Sequence, residues 1–356
     1  VKAHRLIILL ALAGFAQAAQ PPEQKLLAVL RSDAPVFEKA KACQQLARIG
    51  TKQAVPALAA LLGDEKLNSY ALFGLEPIQD PSVDAALRGA LPKLTGRQQI
   101  GVINSLGVRR DAKAVPALAK IAESGKEGAA QALWALGRIA TDDAIKAIQQ
   151  GLGGALRAEA AHACLAAAER RGGSIAGELC DAVRQANVPV CLRAAAAYQR
   201  MKAPGGVKLL VEQLKGDDGE MRAMALRAAR EAPGAEMTRA LVAELPRVPP
   251  AVQVMVIKAL VSRQDRSAAK GIVALVESGS EVVRFEALNA LGGLGGASEV
   301  PVLLKAATRG LKEEVVAFGS LTKLHGDGVN AALIRAIPAC EGESRSALIK
   351  IIEVRG

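Results

Sequence analysis

Glu159 and His162 form a Glu-x-x-His pair, and on a helix that spacing sends both side chains from one face, as in half of a carboxylate-bridged di-iron site. A working centre needs a second copy on a facing helix. None exists, and beyond the N-terminal segment the chain has only His162 and His325, so the pair reads as a solvated helix face. Ser267-x-x-Lys270 and Ser320-x-x-Lys323 have the spacing in which a lysine activates a serine for acyl transfer, but the Ser-Asp-Asn and Lys-Thr-Gly partners of that chemistry are missing. The runs GLGGAL (151–156) and GGLGGA (292–297) follow helical patterns rather than strands and lack the full phosphate-cradling spacing, so they read as turns. There are five Cys and no Cys-x-x-Cys-His haem attachment. Cys43 and Cys164 fall at core positions and read as buried thiols. Cys180 and Cys191 flank a turn near Asn187 about a helical turn out of register, and read as free thiols with a bridge as the alternative. No metal and no cofactor is implied.

What must position any such groups is a repeat. TKQAVPALAALL (51–62), DAKAVPALAKIA (111–122) and ASEVPVLLKAAT (297–308) share a loop, Val-Pro and an amphipathic helix; a proline in the first turn gives up no hydrogen bond. QLARIGT (45–51), SLGVRRD (105–111), ALGRIAT (135–141) and ALGGLGG (290–296) end a second helix in glycine or a polar turn. Each repeat is thus a helix A, a turn, a helix B and a turn. Setting the B helices in register on Trp134 gives the column Gln44, Phe73, Asn104, Trp134, Ala166, Ala197, Arg227, Lys258, Asn289, Gly319 and Lys350, spaced 29–32 residues apart. Eleven hairpins then account for residues 22–356.

The residue before each of these is apolar: Cys43, Leu72, Ile103, Leu133, Leu165, Ala196, Leu226, Ile257, Leu288, Phe318, Ile349. The residue before that is small or apolar, which lets helices approach closely and explains a core built with one Trp, two Tyr and five Phe. No hairpin can bury its own face, so stability must come from stacking on neighbours. The fold expected is all-α: a right-handed α-solenoid of about eleven hairpins.

These repeats resemble HEAT repeats of the short kind called the phycobilisome-lyase HEAT-like repeat. The residues that carry the resemblance are AVPAL at 54–58 and 114–118, ALGRIA at 135–140 and ALGGLG at 290–295. It covers about residues 22–356, is specific for fold, and says little about function, since the family includes scaffolds, lyases, hydroxylases and nucleic-acid binders. The resemblance implies that an Arg early in helix B pairs with an acidic turn residue of a neighbouring repeat. Arg222 with Asp217 and Asp218, and Arg284 with Glu281, fit that ladder, which also holds Lys39, Gln99 and Arg345. It implies too that the B helices line the concave side. Helical phase then points one stripe away from the core: Lys41, Gln44, Arg48, Tyr70, Phe73, Arg97, Asn104, Gln131, Trp134 and Arg138 in the first four repeats, and mostly Ala163, Ala166, Ala194, Ala197 and Met201 in the next two. Tyr, Trp, Phe and Arg are the residues that anchor interfaces, so those ten form the expected binding groove.

The N-terminus has a separate reading. Lys2, His4 and Arg5 precede the apolar run Leu6–Ala13, and Ala16-Gln17-Ala18 offers small residues at a cleavage site. That is the layout of a signal peptide over residues 1–18, too short to span a bilayer. The expectation is a periplasmic or secreted chain with no integral membrane segment after cleavage, similar to exported bacterial HEAT-repeat proteins of unassigned role. Its function is expected to be a non-enzymatic scaffold for a protein or peptide partner in the cell envelope. A polyanion or nucleic-acid binder is the alternative suggested by the net charge of +11; dispersed arginines and few stacking aromatics argue against specific nucleic-acid recognition. A lyase-type or carbohydrate-associated enzyme module is the second alternative. The last helix, SRSALIKIIEVRG, keeps Leu348, Ile349 and Ile352 at core positions with no polar cap after it. The expectation there is a chain truncated at its C-terminus or an end that stacks on a second copy.

Overall fold

The computed structural model describes residues 22–355; the expected signal peptide lies outside them. The described residues form twenty-two α-helices and six short 3-10 turns, with no strand. The helices alternate as the A and B members of eleven hairpins, in the register that the Trp134 column predicts. The chain divides into two compact units at Ala163, inside the helix Arg157–Arg171.

In the first unit the B helices Val36–Ile49, Asn68–Leu75, Gly96–Arg109 and Ala129–Ile139 pack side by side in chain order. In the second, Val190–Lys202, Gly219–Glu231, Pro250–Arg263, Glu281–Leu294, Leu311–Lys323 and Gly342–Arg355 do the same. Local chemistry starts these helices where expected. Val55–Ala59, Val115–Glu123 and Val300–Ala307 carry proline in the first turn, and the Asp218 carboxylate accepts from the N–H groups of Glu220 and Met221, satisfying donors that a helix start leaves free.

The core follows the predicted columns. Cys43, Ile103, Leu133, Ile257 and Leu288 are buried, as are Ala42, Ala71, Ala132, Ala225, Ala287 and Leu348. Small residues do set the interhelical distance. A Cβ on Gly107 would stand 2.8 Å from the Ala135 Cα, and one on Gly137 2.7 Å from the Ala163 carbonyl oxygen.

Four core assignments do not hold in full. Leu226, Phe318 and Ile352 are half-buried, and Ile349 is 41% exposed while Ile351 is buried beside Leu348. In the last helix the buried line is therefore 348 and 351 rather than 348, 349 and 352.

B-helix ends carry a cost. Arg110, Ala140 and Gln264 occupy equivalent positions after their helices with φ of 59°, 54° and 54°, a left-handed conformation that disfavours a Cβ. Ala140→Gly is expected to stabilise the first unit by about 0.5–1 kcal/mol. A thermal midpoint equal to or below the wild-type value would show that the strain is already relieved.

Candidate functional site: the outward stripe of the B helices

Trp134 is 43% exposed and Phe73 56%, while their chain neighbours Leu133 and Leu72 are buried. Gln44, Asn104, Lys41, Arg48, Arg97 and Arg138 are exposed on the same B helices, and Tyr70 and Gln131 are half-buried beside them. The ten residues expected on the stripe thus all reach the surface of the first unit. Five more exposed residues fall in the same columns: Phe37, 73% exposed, Lys66, Pro77, Val108 and Glu127.

The next repeats differ. Ala163, Ala197 and Met201, placed outward by helical phase, are buried. The expected core positions Cys164, Leu165 and Ala196 are buried as well, so these alanine-rich helices are covered on both sides, with no polar contrast to define an outward face.

His162 does not point freely into solvent. Its ring stacks on Trp134, centroids 5.4 Å apart and planes 23° from parallel, so one indole face is taken and the other remains available. His162 therefore serves an aromatic contact. Among the described residues no group of three or more His, Cys, Asp or Glu side chains is gathered as a metal site. Ser267 sits in a turn capped by the Asp265 carboxylate. Ser320 is buried, its Cα 3.0 Å from where a Gly292 Cβ would stand. Contrary to the turn expected for GGLGGA, Gly292 and Gly293 are still helical, within Glu281–Leu294.

The basic ladder is structural, but its partners are not the expected ones. The Arg222 guanidinium donates to the Gly216 carbonyl, while Asp218 is occupied in capping its own helix. Arg284 donates to the Gly279 carbonyl at 3.1 Å and pairs at 2.9 Å with Glu313 of the following repeat; Glu281 meets Lys312 instead. Gln99, Gln253 and Arg345 likewise donate to carbonyls five to eight residues earlier in their own hairpins. At these positions the column ties helix B to the end of helix A.

Sequence reasoning missed a network on the second unit. Glu231 accepts from Arg227 at 2.7 Å and from the Tyr198 hydroxyl, with Lys202 at 3.4 Å. The hydrogen bond from Arg227, then that from Tyr198, holds the Glu231 carboxyl down at about 2. Arg227 and Lys202 also lie over the Tyr198 ring, so the charges of this patch are spent on one another. The Arg227–Glu231 spacing was the available signal.

All five cysteines are free, Cys180 and Cys191 included. Burial pushes the Cys43 thiol up to about 11, Cys164 to about 12 and Cys180 to about 11. In the unfolded chain these thiols ionise near the ordinary 9.0. Above that pH the unfolded state binds fewer protons than the folded one, so stability is full below pH 9 and falls as pH rises toward the folded values. The urea midpoint is expected to drop between about pH 9 and about pH 11, with a shallower drop in a Cys164→Ala chain. An unchanged slope in that variant would remove Cys164 from the account.

The arrangement defines a class: an all-helical repeat protein whose stacked hairpins offer an exposed, basic and aromatic line of B-helix residues. Residues 238–317 match the family described as HEAT repeats, and residues 129–154 match the PBS lyase HEAT-like repeat. HEAT repeats are thus recognised in both stretches of the chain. No curated protein matches it. Among solved structures it is similar to Kap121p at 11% identity, covering 92% of this chain and 45% of that one, with a TM-score of 0.39. It is similar to importin beta at 13%, covering 94% and 52%, with a TM-score of 0.32. It is also similar to human deoxyhypusine hydroxylase at 20%, covering 78% and 98%, with a TM-score of 0.31. The chain spans about half the length of the first two.

No helix among the described residues is long and apolar enough to cross a membrane.

Proposed function

We propose that this protein is an exported, non-enzymatic scaffold that docks a protein or peptide partner in the cell envelope along the outward stripe of its first unit. The observation that carries the docking reading is the exposure of Phe73 and Trp134 at equivalent positions of nearby B helices, among exposed arginines and amides. A folded chain leaves large aromatics in water where a partner covers them. The polar groups around them are amides, guanidiniums and ammoniums, suited to binding, while His162 is committed to its stack. Export rests on residues 1–18 alone.

A photo-crosslinking residue placed at Phe73 is expected to trap a discrete partner from an envelope extract. The same residue at Asn289, exposed at the equivalent position of the second unit, should trap none. Trp134→Ala should weaken partner binding about tenfold or more. Equal trapping at both positions would reject the stripe as the docking surface. Mass spectrometry of the exported chain should find Ala19 at its N-terminus, and a product that retains residues 1–18 would reject export by cleavage.

A further inference from the structure

We infer that the stripe of the first unit takes an extended, acidic stretch of polypeptide laid across the B helices, with Gln44 and Asn104 gripping its main chain. This rests on the docking reading above and names the class of partner. Four consecutive B helices present Gln44, Phe73, Asn104 and Trp134 at one position, an amide and an aromatic by turns, all four exposed. These helices pack directly on one another in that order. Packed helices lie about 8–10 Å apart, and an extended chain advances about 3.3 Å per residue. Each repeat therefore spans about three residues of such a ligand, and both the two amides and the two aromatics stand about six residues apart.

A carboxamide carries a donor and an acceptor on one end, the complement of one residue's N–H and C=O. An extended chain offers those groups, whereas a helical ligand has already used them internally. Phe73 and Trp134 then seat side chains, Trp134 with the one face that His162 leaves open. Their separation of about 20 Å is far too long for successive stacked bases of a nucleic acid.

Charge selects among peptides. In the four outward columns of the first unit the cations are Lys41, Lys66, Arg48, Arg97 and Arg138, none of which makes an ion pair among the described residues, and the acids are Glu127 and Glu159. The second unit neutralises much of its own stripe: Arg227 pairs with Glu231, Lys258 with Glu286 and Lys312 with Glu281. The first unit's unspent positive charge matches carboxylates between the seated side chains.

The test uses the full chain to select from a displayed library of random peptides of about twelve residues, long enough to cross four repeats. The expected winners are rich in Asp and Glu and carry two large apolar residues about six apart. Gln44→Leu and Asn104→Leu should each weaken the best synthetic winner about tenfold, Asn289→Leu should leave it unchanged, and N-methylation of the peptide residues that meet the amides should mimic the losses. All three substitutions lie at exposed positions, and circular dichroism confirms that the variants are folded. Winners patterned at three and four residues, basic winners, or displacement by an oligothymidylate more readily than by the acidic peptides would overturn the extended acidic partner and leave docking intact. If the chain and its Phe73→Ala/Trp134→Ala variant select the same sequences, the docking reading falls, and this inference with it.

Discussion

Leu133→Ala and Leu288→Ala will each destabilise their own unit by about 2–5 kcal/mol, whereas Trp134→Ala and Asn289→Ala, one residue further along, will change stability by about 1 kcal/mol at most. The contrast follows from one rotation of about 100° about the helix axis. Leu288 is fully buried and Leu133 is 2% exposed, against 43% for Trp134. Removing the leucine side chain loses its transfer free energy and leaves a void that packed helices fill only in part. Leu288 should fall at the upper end. Leu133 also lines a recess of about 310 Å³ with Ala122, Gly125, Gly151 and Leu156, so part of its surroundings is already missing and its cost should be lower. Each hairpin leans mainly on its neighbours, so the loss should appear in hydrogen exchange as local opening around the substituted repeat. A cost below about half a kilocalorie at Leu288, or equal costs at Leu133 and Trp134, would mean that the phase of the B helices is misassigned.

That phase was legible because it is written eleven times. Every hairpin needs a small residue and an apolar one at fixed places to meet the next hairpin, and any polar residue in those columns would be buried without a partner. Exposure of Phe73, Asn104 and Trp134 follows from the same periodicity. It was not legible at Ala197 and Met201, where alanine on both sides of the helix removes the polarity contrast that defines a face. Nor could spacing reveal the acceptors of Arg222 and Arg284. Every residue carries a carbonyl, whereas an acid close by in sequence is common and draws attention first. The pairs Trp134–His162 and Tyr198–Glu231 each join two successive B helices. Such pairs depend on how far one helix is shifted along the next, a quantity that neither helix encodes alone.

Arg263→Met is expected to cost the second unit about 2–3 kcal/mol, and Arg109→Met a similar amount in the first. The reason is a clasp that recurs in three repeats. From the end of its B helix, Arg263 reaches back to the end of the preceding one, its Nη1 donating to the carbonyls of Ala229 at 2.9 Å and Ala232 at 2.5 Å and its Nη2 to Gly234 at 2.7 Å, while Nε meets the Thr238 hydroxyl at 3.1 Å. Arg109 does the same with the carbonyls of Glu76 and Ile78, both at 2.8 Å, and with Asp84. Arg355 repeats it on Thr322, Leu324 and Asn330. In all three the side chain partner lies 25 residues earlier and the carbonyls include one 31 residues earlier, so the geometry belongs to the repeat. The last carbonyls of a helix have no partner of their own and carry its negative dipole end, which a cation there stabilises. At the same position of other repeats Ile78, Ile139, Leu294 and Leu324 are buried apolar plugs, whereas Ile49 is exposed and Lys202 pairs with Glu231, so the guanidinium is one of several ways to close a helix end. Methionine keeps the stem and removes every donor, leaving several carbonyls bare where neighbouring helices limit water. Arg263→Lys should recover only part of the loss, because one ammonium cannot reach acceptors spread over Ala229 to Gly234 as a planar fork does. Urea denaturation of the three chains checks this. Lysine that restores full stability would reduce the clasp to a point charge at a helix end, and methionine that costs nothing would show that water satisfies those carbonyls equally well.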